Sequence, residues 1–146
     1  MVLRNSAKLA AGHANLRDEA VESFRASIRG SVLTARDPAY DEARQLWNGM
    51  HDRHPALIVR CTGTADVVAA VNFAREAGLL VSVRGGGHNV AGNAIVDGGL
   101  VVDLTQMRDV HVDPRRQTAR AAGGVTWAEF DRETQLFGLA TPGGQV

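Results

Sequence analysis

A strand–helix–strand pattern between residues 57 and 83 restricts the folds open to this chain more than any other feature. Leu57-Ile58-Val59 and Leu79 to Val83 are short apolar runs with the length and composition of buried strands. Thr64 is predicted to cap the helix between them and Gly78 to end it, and the apolar face of that helix carries Val67, Val68, Val71 and Ala74. Two strands joined by a helix within about thirty residues are typical of a βαβ unit. The two strands are therefore predicted to be parallel.

The residues after this unit predict further strands and one more helix. Leu100 to Asp103 is a third strand, and two short runs, Val110–Val112 and Thr118–Ala121, are predicted to form a hairpin. Thr126 and Glu129 have the spacing of a capping box. The helix that follows is predicted to end at Gly138 and to bury Trp127, Phe130 and Phe137. We expect an α+β fold, with a small parallel-sheet and helix subdomain followed by the start of a second, mixed or antiparallel sheet.

The residues before this unit predict two helices. The first carries Val21, Phe24 and Ile28 on one face and is predicted to stop at Gly30. The second is predicted to begin at Asp37-Pro38 and to end at Gly49, with Tyr40, Ala43 and Trp47 facing the core. We therefore divide the chain into a helical segment over residues 1–54 and a second unit over residues 55–146, incomplete at its C-terminus.

Charge and hydropathy exclude several classes of protein. The 146 residues include 16 basic and 16 acidic side chains, so the chain has no basic field for a nucleic-acid partner. Its apolar runs are shorter than the roughly 18 residues that a membrane span needs, and its first residues do not resemble a signal peptide. A lone cysteine, Cys61, cannot form an internal disulfide, which favours a cytoplasmic location. The final turn, residues 141–146, predicts that the chain is a piece of a longer protein.

Glycine is unusually frequent and is concentrated in the second half of the chain, where 11 of the 16 glycines lie at or after residue 85. The 16 glycines are about 11% of the chain, against roughly 7% in an average protein. The run Gly85-Gly86-Gly87 fails as a dinucleotide fingerprint because Val90 replaces the third glycine and no amphipathic helix follows. It fails as a P-loop because Asn93-Ala94 replaces the required Lys-Ser/Thr pair. Turn-rich β structure remains an alternative explanation for these glycines.

A glycine loop can nevertheless bind an anion without any helix. Successive backbone N–H groups can form an anion-binding nest, and Arg84 beside them can add charge toward a diphosphate. His88 follows directly, where a ligand would pass. The alternative is a solvated loop histidine with no ligand. The pair His51 and His54 with Asp52 lacks a third partner at metal-site spacing, so we expect no metal.

The segment from Val83 to Gly92 resembles the pyrophosphate loop of FAD-linked oxidases with a p-cresol methylhydroxylase-type FAD-binding fold. It is most similar to the berberine bridge enzyme-like branch. The resemblance extends from about Asp37 to Val146 and includes, in order, Trp47-Asn48-Gly49, Asp66-Val67-Val68, Val102-Asp103-Leu104, Ala122-Gly123-Gly124 and Leu139-Ala140-Thr141-Pro142-Gly143-Gly144.

The resemblance implies a set of FAD-binding residues and a covalent flavin. His88 would bond to the 8α-methyl carbon, and a neutral imidazole is a suitable nucleophile near pH 7. The loop from Arg84 to Asn89 would hold the pyrophosphate, and the turn from Thr141 to Gly144 would lie against the isoalloxazine or ribityl region. The complete expected set is Arg84, Gly85, Gly86, Gly87, His88, Asn89, Gly92, Thr141, Pro142, Gly143 and Gly144.

One position departs from the bicovalent members of this branch. Those proteins place a cysteine shortly after the Pro-x-Gly turn, whereas this chain has Val146 there. Cys61 lies at the end of a strand and does not match that position. We therefore expect a single flavin link, through His88.

The function implied is oxidation of a small organic substrate by hydride transfer to the flavin, with O2 or another acceptor reoxidising it. The catalytic base is expected beyond Val146. The alternative is a truncated, non-catalytic fragment that binds no flavin or binds it only reversibly.

Overall fold

The computed structural model describes residues 16–144, which form four helices and six strands. The elements are α1 (Asp18–Ser27), β1 (Ser31–Leu33), α2 (Tyr40–Ala43), β2 (Leu57–Arg60), α3 (Thr64–Glu76), β3 (Val81–Arg84), β4 (Leu100–Asp103), β5 (Val110–Asp113), β6 (Thr118–Ala121) and α4 (Trp127–Gln135). None of the helices in this part of the chain has the length and apolar character needed to cross a membrane.

The strands form two separate sheets. The larger sheet has the order β1-β2-β4-β3, in which β2, β4 and β3 are parallel and β1 is antiparallel to β2. The predicted parallel orientation of β2 and β3 is therefore confirmed, although β4 lies between them. Strands β5 and β6 form an antiparallel hairpin, as predicted. The chain thus has the expected α+β fold.

Both faces of the larger sheet are covered. On one face α1 and α3 pack over alternate strand residues, among them Leu57, Val59 and Val102. On the other face α2 and the segment after β3 pack over Ile58 and Val101. The segment after β3 contributes two buried side chains to this second layer, Ala94 and Ile95. The connection from β3 to β4 is therefore part of the core, although it contains neither helix nor strand.

The buried carboxylate of Asp66 joins α3 to the start of β1. It is 4% exposed and accepts hydrogen bonds from the backbone N–H groups of Arg29 (3.0 Å), Gly30 (3.1 Å) and Thr62 (2.9 Å), and from the Thr62 hydroxyl (2.9 Å). Burial opposes ionisation of this carboxyl, but the hydrogen bonds from Thr62, Arg29 and Gly30 outweigh it and lower its pKa. Gly30 has no room for a side chain, because a Cβ there would overlap the carbonyl group of Arg60.

The first 54 residues differ from the prediction of two helices. They include a strand, β1, and α2 has only four residues. Helix α1 ends at Ser27, so Gly30 is not its stop. The Asp37 carboxylate accepts a bond from the Thr34 backbone N–H (2.8 Å) instead of capping a helix. The division of the chain at residue 55 stays a prediction. Residues 1–15 of the first predicted unit and residues 145–146 of the second lie outside the described residues.

Several helix boundaries were predicted correctly, but the predicted core faces are buried only in part. Gly78 and Gly138 end α3 and α4 with positive φ angles of 65° and 66°, and the Thr126–Glu129 capping box is present. The residue that caps α3 is Gly63, not Thr64. Five of the side chains predicted to face the core are buried, namely Val21, Phe24, Tyr40, Ala43 and Ala74. Five others are substantially exposed, namely Trp47 (70%), Val68 (55%), Val71 (45%), Trp127 (46%) and Phe137 (49%).

Candidate functional site

The glycine loop begins where β3 ends, at the carboxyl edge of the parallel strands. Gly87 has a φ of 74°, a conformation that favours glycine, and a Cβ there would lie 3.3 Å from Leu46 Cδ2. A Cβ on Gly85 would lie 2.7 Å from the carbonyl oxygen of Gly123. The loop therefore packs closely against two other segments, and side chains at residues 85 and 87 would push them apart.

His88 is exposed and its imidazole folds back over Gly86. A Cβ on Gly86 would lie 2.6 Å from His88 Cδ2 and 3.0 Å from Nε2. The indole of Trp47 lies on the same rim, with its ring centroid 6.0 Å from that of the imidazole and the planes inclined by 44°. The structure therefore presents the predicted nucleophile to solvent beside bare backbone.

His51 and Arg53 fix the backbone that follows His88. The Val90 carbonyl oxygen lies 2.8 Å from His51 Nε2, and the Gly92 carbonyl accepts a bond from Arg53 Nη1 (2.9 Å). The same Arg53 nitrogen donates to the Ile95 carbonyl (2.8 Å). Gly92 has a φ of 69°, and a Cβ there would overlap the His51 ring. Gly92 is therefore explained by packing and backbone conformation.

Asn89 closes a turn in the same loop. Its carbonyl oxygen accepts a bond from the Gly92 N–H (3.0 Å), and its side-chain Oδ1 accepts one from the Asn93 N–H (3.0 Å). The Asn89 side-chain oxygen is thus engaged within the loop.

The guanidinium of Arg84 is only partly engaged in hydrogen bonds within the fold. Its Nη1 donates to the Ala43 carbonyl oxygen, whereas its Nε is buried and has no partner among the described residues. That Nε lies 3.6 Å from the position of a Cβ on Gly87. The hydroxyl of Ser82, two residues before Arg84 in β3, is also buried without a described partner. An unpartnered guanidinium nitrogen beside bare glycine backbone fits a phosphate-bearing cofactor such as FAD.

The turn from Thr141 to Gly144 is exposed and rests on α4. A Cβ on Gly143 would overlap the indole of Trp127, so the backbone of Gly143 is in close contact with that ring. Trp127 follows the Gly123 turn that contacts Gly85. Residues 123–127 therefore contact both of the segments that were predicted to bind FAD.

The sequence interpretation did not identify the scaffold of this site. Ala43, Leu46, His51 and Arg53 contact the glycine loop from more than thirty positions away in the chain. The available signal was Trp47-Asn48-Gly49, which was assigned to a helix and to the family resemblance but not to the site. Gly123 and Trp127 were likewise not named as site residues.

Other features of the described residues do not compete with this site. A cavity of about 890 Å³ is lined by residues that include Val21, Arg25 and Asp37, and it shares no lining residue with the glycine loop. Within residues 16–144, no group of three or more His, Cys, Asp or Glu side chains is arranged to hold a metal ion. Cys61 is buried, and its burial, with smaller contributions from Asp66 and Asp103, raises its pKa to about 11. The thiol is therefore protonated at neutral pH.

Comparison with known proteins agrees with this geometry. The family described as FAD binding domain matches residues 55–145. The chain is 42% identical over 118 residues to (R)-6-hydroxynicotine oxidase of Paenarthrobacter nicotinovorans, covering 81% of this chain and 26% of that protein. Its fold is similar to the crystal structure of 6-hydroxy-D-nicotine oxidase from Arthrobacter nicotinovorans (TM-score 0.73, 40% identity, 76% of this chain and 24% of that one).

A plant relative has the same fold. Physcomitrella patens BBE-like 1 matches with a TM-score of 0.63 and 27% identity, over 68% of this chain and 22% of that one. The chain thus spans about a quarter of the length of the relatives it matches. The relationship predicted from the glycine loop is confirmed: the chain belongs to the FAD-binding domain family of FAD-linked oxidases with the p-cresol methylhydroxylase-type fold, on the berberine bridge enzyme-like side.

Proposed function

We propose that this chain is the FAD-binding part of an oxidoreductase whose FAD is covalently attached through His88. The observation that carries the proposal is the position of His88, exposed at the end of a glycine loop that lies next to an unpartnered guanidinium nitrogen of Arg84. When bound, the flavin supplies two-electron redox chemistry, accepting a hydride at N5 from a small organic substrate. The relatives include an (R)-6-hydroxynicotine oxidase and an FAD-linked oxidoreductase, which supports this class of reaction.

Each segment of the site has a separate task in this proposal. Backbone N–H groups of Gly85, Gly86 and Gly87, with Arg84, bind the pyrophosphate, and Asn89 and Gly92 hold the loop in shape. The exposed turn Thr141-Pro142-Gly143-Gly144 lies along the isoalloxazine or ribityl region. A single covalent link is proposed because Cys61 is buried and Val146 has no thiol.

Attachment is an oxidation and needs an electron acceptor. A bond forms between an imidazole nitrogen of His88 and the 8α carbon, and one hydrogen is lost from the methyl group and one from the imidazole. O2 would take up the two electrons and two protons, giving hydrogen peroxide. We propose O2 or another acceptor for substrate turnover as well. The catalytic base is proposed to lie beyond Val146, and we propose a cytoplasmic location from the free thiol of Cys61.

His88→Ala should abolish covalent attachment and leave folding unchanged, because the side chain is exposed and supports no core contact. The protein is expressed from its complete natural reading frame, precipitated with acid, and assayed for flavin fluorescence in the denatured pellet. The matched control is His111→Ala, which removes an exposed histidine on β5 and should retain the flavin fluorescence of the pellet. Equal fluorescence in wild type and His88→Ala would contradict covalent attachment at His88.

The same preparation distinguishes the alternative of a non-catalytic fragment. Yellow protein whose colour survives acid supports the proposal. Flavin that acid removes indicates reversible binding only, and colourless protein that FAD does not stabilise contradicts flavin binding altogether.

A further inference from the structure

Trp47 is an exposed aromatic side chain whose backbone is nevertheless fixed on both sides. It is 70% exposed, so core packing does not explain it. Leu46, immediately before it, is buried and lies under Gly87. Asn48, immediately after it, lies within 3.5 Å of the Val90 carbonyl oxygen through its Nδ2. Leu46 and Asn48, the neighbours of Trp47 in the chain, therefore hold the indole against the loop that carries His88.

The imidazole of His88 lies close to both this indole and the backbone of Gly86. The ring centroids of Trp47 and His88 are 6.0 Å apart at 44°, and Gly86 leaves the space that His88 Cδ2 and Nε2 occupy. An aromatic pair with such a geometry favours one arrangement of the rings by a factor of roughly 2 to 12. Because a bond-forming nitrogen must be held in line with its target, a bias of this size acts directly on the rate of attachment.

We propose that Trp47 is a positioning residue that orients the His88 imidazole for attachment to the flavin. The inference rests on the proposed function, since it assigns a role within the same site. Trp47 takes no part in the electron balance: the nitrogen–carbon bond forms at His88, and O2 takes the two electrons and two protons released. Its effect is on the orientation of the nucleophile before the bond forms.

The test compares Trp47→Ala, Trp47→Leu and Trp47→Phe with wild type and with Met50→Ala. Met50 is a matched control because it is an apolar side chain of the same segment and is 83% exposed. Apoprotein, expressed from the complete natural reading frame, is mixed with FAD in air, and covalent flavin is followed by acid precipitation. Attachment should slow by roughly 3- to 12-fold in Trp47→Ala and Trp47→Leu, and Trp47→Phe should restore most of the rate. The FAD-dependent rise in thermal midpoint should be unchanged.

Histidine NMR of the apoprotein provides a readout that needs no flavin. Loss of the indole ring current in Trp47→Ala should move the His88 ring resonances, identified with His88→Gln, and leave those of His111 in place. Attachment rates within twofold of wild type, or a Trp47→Leu variant as fast as Trp47→Phe, would overturn the positioning role. A loss of the FAD-dependent midpoint shift in Trp47→Ala would also overturn it, because Trp47 would then be part of the binding surface.

The two proposals fail in different ways. If wild-type protein binds FAD and never attaches it, the covalent part of the proposed function is wrong, whatever Trp47 does. If wild type attaches FAD and the Trp47 variants match it, only the positioning role is wrong.

Discussion

Asp66→Asn should destabilise the fold substantially, although the two side chains have nearly the same shape. Asp66 Oδ2 accepts three hydrogen bonds, from Gly30 N, Thr62 N and Thr62 Oγ1, and Oδ1 accepts one, from Arg29 N. An amide oxygen at the Oδ2 position keeps the first three bonds. The amide nitrogen then faces the Arg29 N–H, so that one bond becomes a contact between two donors.

The size of the effect follows from these four bonds. Losing the bond from Arg29 costs about 1–3 kcal/mol, and converting three bonds from a charged to a neutral acceptor weakens each by up to about 1 kcal/mol. Since these contributions are not additive, we expect a loss of about 2–4 kcal/mol in the free energy of unfolding at pH 7. For a domain of this size, that corresponds to a fall in thermal midpoint of roughly 5–15 °C.

The effect must also depend on pH, because the hydrogen bonds lower the pKa of Asp66 in the folded protein. A carboxyl whose pKa is lower when folded stabilises the protein fully above its unfolded pKa of about 3.9. That stabilisation is lost as the pH falls through the folded pKa. The difference between wild type and Asp66→Asn should therefore be constant above about pH 5 and shrink below pH 4.

Urea unfolding of both proteins between pH 3 and pH 7 measures this difference directly. Asp18→Asn is the control, since Asp18 pairs with Arg36 on the surface at 75% side-chain exposure and should change stability by less than about 1 kcal/mol. A loss below 1 kcal/mol for Asp66→Asn at pH 7, or an equal loss at pH 3 and pH 7, would refute the reasoning.

Two further predictions concern Gly86 and Cys61. Gly86→Val should lower FAD affinity about tenfold or more. It should change the stability of the apoprotein by less than about 1 kcal/mol, because the valine side chain would displace the His88 ring and not the core. Thermal midpoints with and without FAD measure both effects. A variant that loses apoprotein stability but keeps its FAD-dependent shift would show that Gly86 is only a turn residue. Cys61, with its pKa raised to about 11, should react with a thiol reagent at pH 7.5 about two orders of magnitude more slowly in native than in urea-denatured protein, and equal rates would contradict its burial.

Local patterns were sufficient to predict the elements whose signals are short-range. Strands β2 and β4 are continuous apolar runs, Gly78 and Gly138 are helix stops with positive φ, and Thr126 and Glu129 are three residues apart. The strand β1 was missed because three residues carry too little periodicity to identify a strand. The position of β4 between β2 and β3 depends on contacts between residues far apart in the chain, which no local pattern encodes.

Apolar periodicity identified helical faces but not what covers them. Val68 and Val71 lie on a side of α3 that no described element buries, while the small residues Ala70 and Ala74 let α3 approach the sheet. At the candidate site, the glycines and His88 were accessible to sequence reasoning because bare backbone followed by an imidazole is an uncommon pattern. The contacts from Ala43, Leu46, His51 and Arg53 were not, since each depends on how the chain returns to the loop.

The connection between β3 and β4 has a consequence for the energetics of ligand binding. A surface loop of this length ordinarily loses conformational entropy when a ligand orders it, at roughly 1–2 kcal/mol per residue. Here Ala94 and Ile95 are buried in the second layer of the core, and Arg53 bonds to the carbonyl groups of Gly92 and Ile95. The loop is therefore ordered when the domain folds, and a ligand meets a surface that is already organised. Affinity at this loop is thermodynamically linked to the stability of the layer beneath it, so changes in that layer will alter binding without touching the ligand.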